Sequence, residues 1–262
     1  MIVTTARKQA HRLESEAKKV AEQLQATFCP RGNQSIAELK QTAASDVFIV
    51  GKGRLSLYPK EGAPPFFYHP NSANLRYKQW RHSGRDPLID ASELKADDRF
   101  LDCTLGMGAD ATVAKLAVGE KGLVVGCEAD PRIALITGQG LRSWADADAR
   151  LLEAMPGVHV VHSTYLAYLK DAVTDSFDVV YFDPMFETAL TNSCGIQGLR
   201  SFASFDALCE EAVNEARRVA SRFVVLKDHY LSSRFEHFGF DVHKRQHAAF
   251  HYGVIKTNTL EG

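Results

Sequence analysis

Two stretches of the chain place chemically capable side chains directly after apolar runs. The run Phe100 to Cys103 leads into Asp102-Cys-Thr104-Leu-Gly106-Met-Gly108-Ala-Asp110-Ala111. Glycines at a strand-to-helix turn let backbone approach a ligand closely, and the helix start offers unpaired N–H groups. The stretch therefore reads as a loop for a nucleotide-type cofactor. Its Gly-x-Gly-x-x-Ala spacing also satisfies the dinucleotide fingerprint, so the loop alone does not separate NAD from S-adenosylmethionine (SAM). A second run, Leu123 to Cys127, ends at Glu128, 20 residues after Gly108, where a carboxylate can accept hydrogen bonds from both ribose hydroxyls of an adenosine. That suits either cofactor. Asp102 favours SAM, because it can reach the ammonium of a methionine moiety directly or through water, whereas a pyrophosphate gains nothing from a negative charge there.

The other stretch is Phe177-Asp-Val-Val-Tyr-Phe182 followed by Asp183-Pro184-Met185-Phe186. A carboxylate, a proline, one residue and an aromatic at the end of a buried strand resemble the Asn/Asp-Pro-Pro-aromatic motif of amino-group methyltransferases. The exocyclic amine of a base is a poor nucleophile because its lone pair is delocalised into the ring. The Asp183 carboxylate and the Pro184 carbonyl could accept its two N–H bonds and turn the lone pair toward a sulfonium methyl, while Phe186 stacks on the base. Inline displacement needs mostly positioning, so no metal or strong base is required.

The elements that must position these groups follow from the apolar pattern. Runs at Phe100 to Cys103, Leu123 to Cys127, Val158 to Val161, Phe177 to Phe182 and Phe223 to Leu226 alternate with segments long enough for crossover helices in all but one case, Tyr165 to Ser176, which can hold a short one. This is an α/β signature with a parallel sheet covered on both faces. We expect a Rossmann-like class I methyltransferase fold, with a seven-stranded, mostly parallel sheet, over residues 99–262. Ahead of it, residues 1–70 read as a small α/β module. Leu13, Ala17, Val20, Ala21 and Leu24 predict a helix over about Arg7 to Thr27, and Ser35 can cap a second one. Asp46 to Val50 and Arg54 to Tyr58 flank Gly51-Lys-Gly53 as a hairpin. Residues 71–98 read as a linker. Within it Arg76, Lys78, Arg81 and Arg85 interleave with Tyr77 and Trp80, the densest basic and aromatic stretch in the chain, suited to phosphates and stacked bases or, equally, to an amphipathic helix docked through Leu75 and Trp80.

The formal net charge of −1 excludes whole-molecule attraction to nucleic acid, so any such binding must be local. Five scattered cysteines with no C-x-x-C spacing predict reduced thiols, Cys103 and Cys127 as small core residues. No apolar run approaches the roughly 20 residues of a membrane span, and the first residues lack a signal peptide's apolar segment, so a cytoplasmic protein is expected. His243, His247 and His251 stand four apart, but Phe238 to Arg245 and Ala249 to Ile255 read as antiparallel strands, and no Cys or carboxylate completes a metal site. We expect no metal and no membrane; composition does not specify an oligomeric state.

These motifs together resemble the RsmJ-type methyltransferases, which modify guanine N2 in small-subunit ribosomal RNA, and more closely a YpiP-type branch from Gram-positive bacteria. The resemblance covers about Arg76 to Tyr252. It rests on Gly106-Met-Gly-Ala-Asp-Ala111, Glu128-Ala-Asp-Pro131, His162-Ser-Thr-Tyr-Leu166 and, most specifically, Val180-Tyr-Phe-Asp-Pro-Met-Phe186. It implies that Asp110, Glu128 with Ala129, Thr164 with Tyr165, and Asp183 line a SAM site beside Asp102, Thr104, Gly106 and Gly108. It further implies that Lys227, His247, Tyr252 and the basic stretch Arg76, Lys78, Arg81 and Arg85 face RNA. The chain departs from the family at Ala109, where the family has arginine, and at Glu187-Thr-Ala-Leu-Thr, where the family is basic. Other readings of the same residues are a SAM-dependent methyltransferase with a protein or small-molecule acceptor, a nucleotide-binding oxidoreductase, and a non-catalytic RNA-binding module.

Overall fold

A computed structural model of the protein describes residues 1–184, 208–246 and 248–257. It divides into two compact units. The first comprises Met1–His69 together with Asp130–Trp144, and the second holds Pro70–Ala129 and the described residues beyond 144, apart from that helix-bearing segment.

The first unit is built from β1 (Ile2–Thr5), α1 (Ala10–Gln23), β2 (Thr27–Phe28), α2 (Ile36–Ala43), β3 (Val47–Gly51), β4 (Arg54–Tyr58) and β5 (Phe66–Phe67). The sheet order is β2-β1-β3-β4-β5, with β1 parallel to β2 and β3, and β4 antiparallel to its neighbours. Helix α1 buries Leu13, Ala17, Val20 and Ala21, the stripe its spacing predicts. Helix α2 starts at a capping box, in which Ser35 accepts from Glu38 N and Glu38 accepts from Ser35 N. The expected hairpin forms, with Gly51 opposite Arg54 and Gly53 at φ 71° in the two-residue turn. A helix at Pro131–Ser143 also belongs to this unit, although its sequence lies within the stretch expected to be the larger domain. Asp130 caps it through Arg132 N, and Arg132 Nη1 reaches Asp46 at 2.7 Å. Its Gly140 lies so close to Tyr68 that a Cβ there would meet the ring at 2.0 Å.

In the second unit the residues expected to be a linker form α3 (Asn71–Ser83) and α4 (Pro87–Ser92). There follow β6 (Arg99–Asp102), α5 (Ala109–Val118), β7 (Leu123–Glu128) and, after the Pro131–Ser143 helix (α6), α7 (Ala149–Ala154), β8 (Val158–His162), α8 (Tyr165–Asp171) and β9 (Phe177–Phe182). The chain ends in α9 (Glu210–Val219), β10 (Ala220–His229), α10 (Arg234–His237), β11 (Asp241–His243) and β12 (Phe250–Lys256). The five apolar runs become β6, β7, β8, β9 and β10. The order of the seven-stranded sheet is β11-β12-β10-β9-β6-β7-β8, parallel except for β12, which runs against both neighbours. From β6 the chain winds outward to β7 and β8, then returns to lay β9 on the other side. The crevice between β6 and β9 is therefore the topological switch point, where open α/β sheets bind ligands. Among the described residues no helix is long and apolar enough to cross a membrane.

Because the Gly140–Tyr68 approach leaves no room for a methyl group, Gly140→Ala should destabilise the protein by about 1–3 kcal/mol despite the better helix propensity of alanine. Thermal denaturation measures this, and an unchanged or raised midpoint would show that the tight approach carries no energy.

Candidate functional site

The switch point brings the two chemically capable stretches together. Asp102 ends β6, only 1% exposed, and its Oδ1 accepts from Thr104 N at 3.0 Å. Thr104 Oγ1 in turn accepts the backbone N–H of Asp183, at the end of β9, at 2.7 Å. One threonine thus ties the cofactor-type loop to the Asp-Pro turn across the crevice. The loop continues through Gly106 and Gly108, at φ 52° and 70°, a region that favours glycine. Gly106 N donates to Glu128 Oε2 at 3.1 Å, which sets the carboxylate at the end of β7 against the glycine turn. Helix α5 opens at Gly108 without a side-chain cap, so its first N–H groups face this end of the sheet. Gly126, inside β7, makes room for the loop's Leu105, whose Cδ1 would lie 2.4 Å from an added Cβ.

Behind the loop lies a buried chain of charges. Lys227, on β10, donates to Asp183 Oδ2 at 2.6 Å and reaches Asp110 Oδ2 at 3.4 Å. Arg76, on α3, pairs with the other oxygen of Asp110 and grips Asp86 through Nε at 3.0 Å and Nη2 at 2.7 Å. Asp86 is 3% exposed and caps α4, accepting from Leu88 N at 3.0 Å. Tyr252 lies opposite Lys227 across the β10–β12 pair, buried, which raises its phenol above the ordinary range.

Burial shapes the titration of these acids. It would raise Asp110, but Lys227 and then Arg76 outweigh it and hold that carboxyl down at about 2. Burial also raises Asp183; Lys227 opposes, the Asp110 charge reinforces, and the balance sits at about 6. Asp102 has no cation in contact. Burial, followed by the Asp110 charge, pushes it up to about 8. Two cations, Arg76 and Lys227, thus serve three paired carboxylates, Asp86, Asp110 and Asp183, with Asp102 a fourth acid beside them. The surplus is negative, and it suits an incoming cation.

The structure places the remaining expected residues as follows. Thr164, just past β8, caps α8 through Ala167 N, and the ring of Tyr165 packs edge-on against Phe182, with centroids 5.6 Å apart. Ala129 follows Glu128, and Pro184 follows Asp183, both partly exposed. Lys78, Arg81 and Arg85 are exposed; Arg81 pairs with Asp148 at 3.2 Å, and Arg85 with Asp90 at 2.9 Å. Arg76 is different from these three: its guanidinium turns inward to Asp86 and Asp110 rather than standing on the surface, because α3 docks that face beside α5. Leu75, a docking residue in one of the two readings of this stretch, is 59% exposed. Phe186 and His247 lie outside the described residues. Among the described residues no group of three or more His, Cys, Asp or Glu is arranged to hold a metal. Asp86 and Tyr181 were not anticipated. Asp86-Pro87 is a legible helix start, but the phenol of Tyr181, fully buried near the charges of Asp110, Asp183 and Asp102 and without a hydrogen-bond partner among the described residues, carries no local signal.

The raised Asp102 has a testable consequence. Between roughly pH 4 and 8 the folded state keeps a proton that the unfolded chain releases, so Asp102 withdraws stability as pH rises through that window. Asp102→Asn should therefore gain on the parent in ligand-free thermal melts as pH rises from 5 to 8.5. Parallel pH profiles would contradict the assignment.

Comparison with known proteins accords with this geometry. Residues 37–237 match the family described as "Putative SAM-dependent methyltransferase". The uncharacterised protein YpiP of Bacillus subtilis is 43% identical over 258 residues, covering 98% of this chain and all of YpiP. Ribosomal RNA small subunit methyltransferase J of Hahella chejuensis is 29% identical over 178 residues, 64% of each chain. Among solved structures, a SAM-dependent methyltransferase of Neisseria gonorrhoeae shares the fold with a TM-score of 0.65, at 15% identity over 99% of this chain and 97% of that one. The residues present fit SAM: an acid surplus suits its sulfonium and ammonium, a strand-end carboxylate suits its ribose, and positive-φ glycines allow close approach. The chain therefore belongs to the SAM-dependent methyltransferase family, with a class I fold and S-adenosyl-L-methionine as its cofactor.

Proposed function

We propose that the protein methylates an exocyclic amine of an RNA base, guanine N2 in small-subunit ribosomal RNA. The observation that carries this reading is Asp183-Pro184 at the switch point, with its backbone N–H held by Thr104 and its carboxylate steadied by Lys227. The partial likeness to ribosomal RNA small subunit methyltransferase J supports the choice of RNA.

SAM supplies a methyl group on a sulfonium sulfur, which keeps the bonding pair when the methyl leaves. In this reading the protein positions that cofactor and the acceptor. Glu128 and Ala129 receive the ribose and adenine side, Asp102 the ammonium, and Gly106, Gly108, Asp110, Thr164 and Tyr165 shape the walls. Asp183 Oδ and the Pro184 carbonyl accept the amine N–H bonds and turn the lone pair along the line of displacement. As the new C–N bond forms the amine becomes more acidic. Asp183, set near pKa 6 by burial against Lys227, can take the released proton and pass it to water. Stacking on the base is the role proposed for Phe186, and Lys78, Arg81 and Arg85 meet the phosphate backbone. Tyr252 and Lys227 hold the acceptor wall, with His247 as a further contact to RNA.

Mass spectrometry of nucleosides from matched wild-type and deletion strains should show one N2-methylguanosine missing from small-subunit ribosomal RNA. Intact RNA modification, or methyl label entering only protein or small molecules, would refute the acceptor. Asp183→Ala should lower methyl transfer by about 10²–10³-fold while SAM still binds, because the lost groups act on the transition state. In the parent enzyme kcat should fall as pH drops through about 6, where Asp183 gains a proton and ceases to accept from the amine.

A further inference from the structure

Among the described residues, the first unit buries a guanidinium that no acid compensates. Arg31, in the loop after β2, is 7% exposed, and its Nε and Nη1 are buried without hydrogen-bond partners. Its charged neighbour is a second cation, Arg7, in the loop after β1, and burial followed by Arg7 holds the Arg31 pKa below its ordinary value. Arg7 itself donates to the Asn33 carbonyl, which ties the two loops together. Glu38 feels the Arg7 charge, but its carboxylate is held in the capping box with Ser35, and Asp46 pairs with Lys60 N and Arg132.

A buried hydroxyl stands on the neighbouring strand. Cys29 N donates to Val3 O at 2.8 Å, so the chain leaves β2 alongside the end of β1. Ile2, Ala6, Cys29 and Tyr58 pack against the cluster of Leu39, Val47 and Ile49, and strand alternation places Thr4 on the same face of β1 as Ile2. Thr4 is fully buried, and its Oγ1 also lacks a partner. Two arginines and a threonine hydroxyl therefore stand at the carboxyl ends of two parallel strands, the edge where such sheets take ligands.

Folding alone gives no reason for this arrangement. An unpaired buried guanidinium costs several kcal/mol, two like charges repel, and an apolar side chain of similar volume would be the more stable choice. A fork of N–H donors does match the oxygens of a phosphate. We propose that Arg31, Arg7 and Thr4 form a binding site for a phosphate group, independent of the methyl-transfer site and of the acceptor proposed above. The phosphate can belong to a free phosphorylated compound or to a nucleic-acid backbone, and the test separates these sources.

Isothermal titration of the full-length protein with inorganic phosphate, in chloride buffer at low ionic strength, should show one saturable site. Arg31→Met should weaken it at least tenfold and Arg31→Lys less, whereas Lys8→Met should leave it unchanged. In phosphate-free buffer Arg31→Met should melt at or above the parent temperature, and only the parent should gain stability from phosphate. A short RNA that displaces phosphate identifies a backbone as the source; phosphate retained in its presence identifies a free compound. Absence of phosphate binding by the parent, equal binding by Arg31→Met, or a destabilised or unfolded Arg31→Met in phosphate-free buffer would each overturn the proposal, the last by showing the guanidinium to be structural.

Discussion

The geometry of the methyltransferase site depends on one carboxylate with a cation on each oxygen. Asp110 opens helix α5, and it is gripped by Arg76 from α3 on one side and Lys227 from β10 on the other. Through Arg76 the grip extends to the cap of α4, and through Lys227 to Asp183 at the acceptor turn. Buried ion pairs seldom add net stability, since desolvation cancels much of the attraction, but breaking one leaves a bare charge and is costly. Such a network specifies an arrangement more than it strengthens one. It fixes where the cofactor loop ends, where the acceptor carboxylate points, and how negative the crevice is.

Thr104 performs the complementary task with neutral groups. Its backbone N–H satisfies Asp102 and its hydroxyl receives the Asp183 N–H. A shift of β6 against β9 breaks the second contact, so the cofactor and acceptor halves keep a common register. Gly126 serves the same loop from beneath by leaving space for Leu105.

The parallel core was legible because its signal is local. Apolar runs at Phe100, Leu123, Val158, Phe177 and Phe223 each became a strand, and the glycine and Asp-Pro turns fell at strand ends, where chain reversal exposes backbone. Ser35, Gly53 and the α1 stripe were legible for the same reason. What escaped was long-range. Arg76 reads as one of four similar surface cations, and only docking against α5 turns it toward an acid 34 residues away. The Pro131–Ser143 helix has the amphipathic pattern of any crossover, and periodicity does not say which unit its buried face belongs to. The unpaired state of Arg31 is likewise a property of its surroundings rather than of its neighbours in sequence.

The position of Lys227 in the chain also imposes an order of assembly. A ribosome releases Arg76, Asp86, Asp102, Asp110 and Asp183 well before Lys227 emerges. Until then Asp110 and Asp183 lack their shared ammonium, and β9 lacks the neighbour that covers its outer edge. The nascent protein can pair β6, β7 and β8 early, but its acidic crevice acquires its working charge only when β10 arrives. The site is completed last, so an incompletely synthesised chain is held back from a catalytically shaped pocket.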